Sequence, residues 1–363
     1  MMFSQFLHIS GKQEVAAVAV PKTGSRLQWV DYARGLAIML VVYRHVIVGM
    51  KRAGLPVSQL MYDLQEVVYN FRMPVFFVLS GIFLAGSLAR RTAGEITKNR
   101  VFTILYPYII WGSITVILQI VFSNFTNSKR SWTDLFNLLL DPRAIDHLWY
   151  LLALFNTNVL YLLLNKLMKD GWLHALLAVG MYVLSRMPVM HGNSFMADMC
   201  YFYLYLYVGV KLSSILLVPE KREKILNVRN LLWLIPLVLA GQYFWFQIWQ
   251  MEDYAAEERK YLPLFFVINL LACYFMYIIS YKVSLLPRTG WLAWLGKHSL
   301  YIYILHVFVA SAVRTLILKT IPDLNVWVIA GICWTIALIL PVLLYNWLRP
   351  FGFDKLFSLK QNN

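Results

Sequence analysis

Ten runs of about twenty mostly apolar residues follow one another along the chain. They cover roughly 27–50, 67–89, 101–122, 147–165, 172–190, 197–217, 231–250, 262–281, 295–318 and 326–348. At about 1.5 Å of rise per residue, a helix needs that length to cross about 30 Å of hydrocarbon. In lipid, only helices and closed barrels satisfy their own backbone polar groups, and barrel strands are about half as long. The runs therefore predict an all-α polytopic membrane protein, a bundle of about ten transmembrane helices. Pro74, Pro107, Pro236 and Pro341 fall inside runs. Neighbouring helices can re-satisfy the backbone there, so these prolines need not end a span.

The 363 residues are 60% hydrophobic and 14% charged, with a net charge of +15. That charge invites a nucleic-acid reading, but the basic residues sit in short loops between apolar runs and form no single face. There they orient helices and meet anionic lipid, so no nucleic-acid partner is expected and the bilayer is. Eighteen Lys and Arg fall in one set of alternating loops and nine in the other. The bias predicts that both termini are cytosolic. Residues 1–26 read as a flexible cytosolic tail without a cleavable leader, 27–348 as one ten-span domain, and 349–363 as a cytosolic tail. Residues 123–146 form the longest loop, expected on the membrane surface, and the acidic loop 251–261 is expected to be solvated on the outer side. Cys200, Cys273 and Cys333 lie far apart without ligand spacing and read as small buried hydrophobes, and no metal is expected.

The first span, LQWVDYARGLAIMLVVYRHVIVGM, carries Asp31, Arg34, Arg44 and His45. A charge at mid-bilayer costs about 2.5–3.5 kcal/mol on insertion scales, so ionisable groups in spans usually mark pathways or sites. Arg34 and His45 are eleven residues apart. That is three helical turns, within about 20° of one face and about 16 Å along the axis. Asp31 precedes Arg34 by three and can pair with it. The stripe suits a polar channel through the bundle, and histidine suits proton transfer near neutral pH. Two structural alternatives stand beside this: an Asp31–Arg34 pair that locks helices, and a His45 that only bonds a neighbour. Arg44, near the end of the span, reads as a snorkelling residue.

Four motifs in order resemble those of the acyltransferase-3 family of membrane-bound O-acyltransferases. They are D31-Y-A-R34-G-L-A-I with His45 following Arg34 after ten intervening residues, F71-R-M-P-V-F-F-V-L-S80-G, H147-L-W149-Y-L, and L295-G-K-H-S-L-Y-I-Y-I-L-H306. The resemblance runs from about residue 28 to 310. It implies transfer of an acyl group, usually acetyl from cytosolic acetyl-CoA, across the membrane to a sugar hydroxyl. The acceptor would be a surface polysaccharide or another cell-envelope or lipid-linked carbohydrate, and the membrane a bacterial inner membrane. The ten helices would then surround a polar catalytic channel. By position, His45 would be the catalytic base, Arg34 its partner and Asp31 the mate of that arginine.

The sequence departs from the family pattern at two places. Arg72 stands where relatives often have histidine, which suits a phosphate or carboxylate contact. Of a common arginine pair before the third span only Arg100 remains, with Lys98 nearby. Arg72, Lys98 and Arg100 are accordingly the expected acyl-CoA-binding residues. Ser80, His147, Trp149 and His306 are candidate acceptor or oxyanion contacts, Ser80 also reading as a packing residue. Acyl-CoA is a substrate, and no bound cofactor is expected. The rival reading is a glycan or proton-coupled transporter using the same stripe, although no internal symmetry supports it. A covalent acyl relay is a further alternative, and no Gly-x-Ser-x-Gly elbow supports it.

Overall fold

The computed structural model describes residues 27–121, 130–168 and 171–359, apart from the Asp146 side chain. The expected tail 1–26 lies outside the described residues, as do 122–129 of the long loop. Sixteen α-helices follow in order, with no strand among the described residues: α1 Gln28–Arg52, α2 Gln59–Val67, α3 Tyr69–Leu88, α4 Ala93–Arg100 and α5 Tyr106–Val121. A π-helical turn, Val101–Leu105, joins α4 to α5. Then come α6 Asn137–Leu140, α7 Trp149–Met168, α8 Trp172–Leu184, α9 Ser194–Leu216, α10 Pro219–Ile225 and α11 Leu231–Trp249. The last five are α12 Tyr254–Lys260, α13 Leu262–Val283, α14 Gly290–Lys297, α15 Ser299–Thr320 and α16 Val326–Leu348. Pro74, Pro236 and Pro341 remain inside their helices.

Nine helical stretches among the described residues are long and apolar enough to cross a membrane. The run expected at 172–190 instead forms a helix of 13 residues, only about 20 Å long. The chain nevertheless returns across the bundle there. Ser194 donates to Asp141 and Arg143 grips Asp198, so α9 starts beside the start of α7. Since α7 ends 20 residues later, residues 171–193 return through the same thickness in reverse. Gly171 precedes the helix and Pro188 opens a 3-10 turn after it, which is why the crossing is helical only in its middle.

A single cavity reveals the alternation of the other spans. Its walls come from the ends of α1, α5, α11 and α15, and from the starts of α3, α7, α9 and α13. Odd and even crossings therefore run in opposite directions, and the N-terminus of α1 and the C-terminus of α16 both lie on the face away from the cavity. Helix α1 is central, packed against α3, α13, α14, α15 and α16.

Without a hydrophobic drive between helices in lipid, close packing depends on small residues. A Cβ at Gly81 would overlap the backbone of Leu206 and Val210, and one at Gly209 would overlap Val78. The α3 and α9 backbones thus touch. The same device joins α1 to α14, where Gly296 lies against the Asp31 carbonyl and Gly35 against that of Leu292. The three cysteines are buried and free, as the sequence suggested. Beyond α16 the chain does not leave the bundle at once. Two 3-10 turns joined through Gly352, at φ 85°, seat Phe357 against Trp111, Tyr301 and Tyr345.

Replacing Gly209 by Leu should therefore cost about 3 kcal/mol. The expected outcome is loss of the monodisperse, cooperatively melting protein in detergent. Gly180→Ala, where a Cβ meets nothing within 4 Å, should leave the melting temperature unchanged or higher.

Candidate active site

The cavity has a volume of about 1410 Å³. Helix α1 supplies Arg44 and His45, α3 supplies Tyr69, Asn70 and Arg72, and the 3-10 turn before α7 supplies Arg143 and His147. Aromatic walls are added by Trp149, Tyr201, Trp245 and Trp249. His45 is half-buried on this wall.

Three imidazoles meet at the inner end of the cavity. The His45 ring centroid is 5.0 Å from that of His306 and 5.7 Å from that of His147, and the latter two are 5.1 Å apart. All three pairs are edge-on. His306 is fully buried, and its Nδ1 lies 2.9 Å from the Ile302 carbonyl and 2.8 Å from that of Tyr303. Only a protonated Nδ1 can donate to carbonyls, which leaves Nε2 as a bare acceptor, and Nε2 has no partner. His147 repeats the logic with Nε2 3.3 Å from the Ile304 carbonyl and Nδ1 unpartnered. The Tyr303 hydroxyl donates to the His147 carbonyl and ties the two elements together. His45 thus faces two imidazoles that are each anchored to backbone carbonyls through one ring nitrogen, the other ring nitrogen having no partner. Among the described residues no group of three or more His, Cys, Asp or Glu side chains is arranged to hold a metal ion.

The arginines of the cavity fall into two kinds. Arg143 sends Nε and Nη2 to both oxygens of buried Asp198 at 2.7–2.9 Å, and Arg186 bonds Glu258 at 2.9 Å. Burial opposes the Arg143 charge, but the adjacent Asp198 carboxylate holds its guanidinium above its ordinary pKa. Arg143 also lies over Trp149, 4.1 Å from its centroid, and Arg186 over Tyr201 at 3.9 Å. Arg44 and Arg72 flank Tyr69 instead, 4.3 and 4.7 Å from its ring centroid. Arg44 donates to Gln65 at 2.7 Å. It does not snorkel, because α2 folds back over it and the cavity draws it inward. The loop 251–261 likewise is more than a solvated loop: it forms α12 and brings Tyr254 and Glu258 to the cavity.

The other residues singled out by sequence lie elsewhere. Arg34 sits over Phe83, 5.6 Å from its ring, within electrostatic range of Arg100 and the Tyr150 phenol. It is on the expected face of α1 but toward the end remote from the cavity. Asp31 is buried where α1 crosses α14. Lys98 is exposed on α4. Arg72 is thus separated from Lys98 and Arg100, with which it was grouped, and joins His45. Ser80 is buried and exchanges hydrogen bonds with Asn158 at 3.2–3.3 Å, outside the cavity wall. Trp149 and His147 line the cavity, whereas His306 reaches the site only through its ring contacts. Sequence reading missed Tyr69, Arg143, Asp198, Arg186, Glu258, Trp245 and Trp249. The only sequence signal for Arg143 was its place four residues before His147.

This is a multi-span membrane protein with one large polar cavity and a histidine cluster at its inner end. Residues 27–345 match the acyltransferase domain of the acyltransferase-3 family, and the chain belongs to that family. It is also similar to the nodulation protein NolL of Mesorhizobium japonicum, 26% identical over 130 residues, which is 36% of this chain and 34% of the relative. NolL of Sinorhizobium fredii is 24% identical over 163 residues, 44% of this chain and 42% of that one. The matched stretches thus span well under half of either relative. No solved structure matches the chain.

Asp198→Ala removes the carboxylate that holds Arg143 across the cavity mouth. A partly buried pair broken on one side should cost about 2 kcal/mol. The expected readout is a lower melting temperature in detergent, with Arg143→Ala and the double variant completing the cycle. A double variant no less stable than either single variant would confirm that the two residues act as a pair.

Proposed function

We propose that the protein transfers an acyl group, acetyl in the first instance, from cytosolic acyl-CoA to a hydroxyl of a cell-envelope or lipid-linked carbohydrate. The observation that carries this reading is His45, half-exposed on the wall of a cavity large enough for sugar residues and backed by two imidazoles. A sugar hydroxyl is a weak nucleophile and needs a base within hydrogen-bond reach. Neutral His45 takes the hydroxyl proton as the oxygen attacks the thioester carbonyl. The tetrahedral intermediate collapses, the carbon–sulfur bond breaks, and His45 returns the proton to the departing thiolate. The products are the ester and free CoA. His306 and His147 offer lone pairs rather than N–H groups to the space beside His45, which favours a His45 that donates to one of them and presents its other nitrogen as the base.

Aromatic walls at Trp149, Trp245 and Trp249 suit the flat apolar faces of pyranose rings, and the interleaved polar groups suit their hydroxyls. Arg34, Arg100 and exposed Lys98 stand toward the face opposite the cavity, which suits the phosphates of a donor entering from that side. The loop charge bias supports a cytosolic placement of that face, in keeping with a bacterial inner membrane.

The test is release of CoA from labelled acetyl-CoA by the purified protein with pooled envelope glycans. His45→Ala should fold normally and lose about 10²–10⁴-fold in turnover. Ser80→Ala should keep turnover within about twofold while losing about 1 kcal/mol of stability, because its hydroxyl serves Asn158 and not the substrate. Full turnover in His45→Ala would discard the assigned chemistry. A protein that turns over no acyl donor but carries glycans across vesicles would be a transporter.

A further inference from the structure

Arg72, in the first turn of α3, is 5% exposed, yet it lines the cavity. Its Nη1 has no hydrogen-bond partner. Its charged and ionisable neighbours are Arg44, of like sign, His45, and the phenols of Tyr69 and Tyr303. The carboxylates around the cavity are engaged elsewhere: Asp198 holds Arg143, Glu258 holds Arg186, and buried Glu66 receives the Gln250 amide at 3.0 Å. Asn70, two residues earlier in α3, also lines the cavity, and its amide nitrogen and oxygen are both buried without partners. Two guanidiniums held against the ring of one tyrosine, one of them buried with an unsatisfied Nη1, form a costly arrangement unless an anion completes it. The forked guanidinium geometry matches carboxylate and phosphate oxygens. Tyr69 is in turn set among Trp245 and Trp249, 6.3 and 5.1 Å from its centroid, so the cationic pair sits at the edge of an aromatic platform.

From this we infer that the carbohydrate bound in the cavity is anionic, and that Arg72, Arg44 and Asn70 form a subsite for its carboxylate or phosphate group. The inference rests on the acyl-transfer reading and names the acceptor class within it. The position argues for the acceptor over the donor. Arg72 lies within electrostatic range of His45, where the thioester must react, while the basic residues suited to donor phosphates stand three helical turns away along α1. An acidic sugar held by its charged group would present a neighbouring hydroxyl toward His45 with one rotational freedom already removed.

The experiment is equilibrium binding to the full-length purified protein without acyl donor, followed by tryptophan fluorescence. The probes are methyl β-D-glucuronide, its neutral counterpart methyl β-D-glucoside, inorganic phosphate and coenzyme A. Wild type should bind the glucuronide, or inorganic phosphate, at least tenfold more tightly than the glucoside. Arg72→Gln should remove that preference while keeping glucoside binding and the melting temperature, and Arg44→Gln should reduce it. Preference for the glucuronide marks a carboxylate-bearing acceptor, and preference for phosphate a phosphate-bearing one. Equal binding of all probes, or a preference that survives in Arg72→Gln, overturns the proposal. So does coenzyme A that displaces the glucuronide and is weakened by Arg72→Gln to the same extent, since the subsite would then be the donor's. Turnover of neutral glycans without any charge preference would leave the transferase reading standing and remove the subsite. Charge-selective binding without turnover of any acyl donor would do the reverse.

Discussion

Backbone contact between helices at two glycine pairs is the constraint on which the rest of this bundle depends. In lipid a helix gains little by hiding apolar side chains from its surroundings, so association rests on close fit and on polar contacts. Gly81 and Gly209 bring α3 and α9 together until a side chain on either would strike the other backbone. That contact stacks Phe77 on Phe202 with centroids 4.1 Å apart and planes 9° from parallel. It also fixes the height at which Tyr69, Asn70 and Arg72 on one helix face Tyr201 and Phe202 on the other. Gly35 and Gly296 do the same for α1 and α14, and α15 continues directly from α14. His45 and His306 are set beside each other by that second crossing. Both walls of the cavity are therefore positioned by residues that have no side chain.

Once the walls are set, charge is distributed over them with a clear division of labour. Two arginines are neutralised by carboxylates and cover aromatic rings at the mouth, where they act as braces between the 142–148 turn, α9, α12 and the end of α8. Two others share Tyr69 and lack an acid partner near Arg72. The three histidines meet edge-on, and His147 and His306 are each anchored to backbone carbonyls. A low-polarity interior makes each of these choices expensive to leave unmet, which is why their pattern is informative about the ligand. The buried, unpaired Arg72 identifies the charge of what should occupy the cavity more directly than any feature of the cavity's shape.

Much of the architecture was already legible in the chain. Run length dictated helices and their number, because a bilayer has one thickness and one way for an unbranched segment to satisfy its backbone within it. The spacing of Arg34 and His45 put both on one face of α1, since helical periodicity is local. The four family motifs pointed to His45, His147, Trp149 and His306, and three of those line the cavity while the fourth touches His45. The fifth crossing was less legible, because its helix covers only 13 residues and the remainder crosses as turns.

What only the tertiary structure decided is which of these residues share a space. Arg72 was grouped with Lys98 and Arg100 because all three are basic and close in sequence, yet a helix some 30 Å long carries them to opposite ends. Ser80 sat in a motif with Arg72 but points to Asn158, since eight residues along a helix turn a side chain by about 80°. Arg143, Glu258 and Trp245 belong to turns and helices more than a hundred residues apart at the extremes, and no periodicity links them. The sequence by itself determined that the chain spans a membrane many times and that α1 carries an ionisable stripe, because both follow from local rules of length and period. The three-histidine cluster and the division of the arginines into paired and unpaired arose only when glycine crossings brought distant helices into contact.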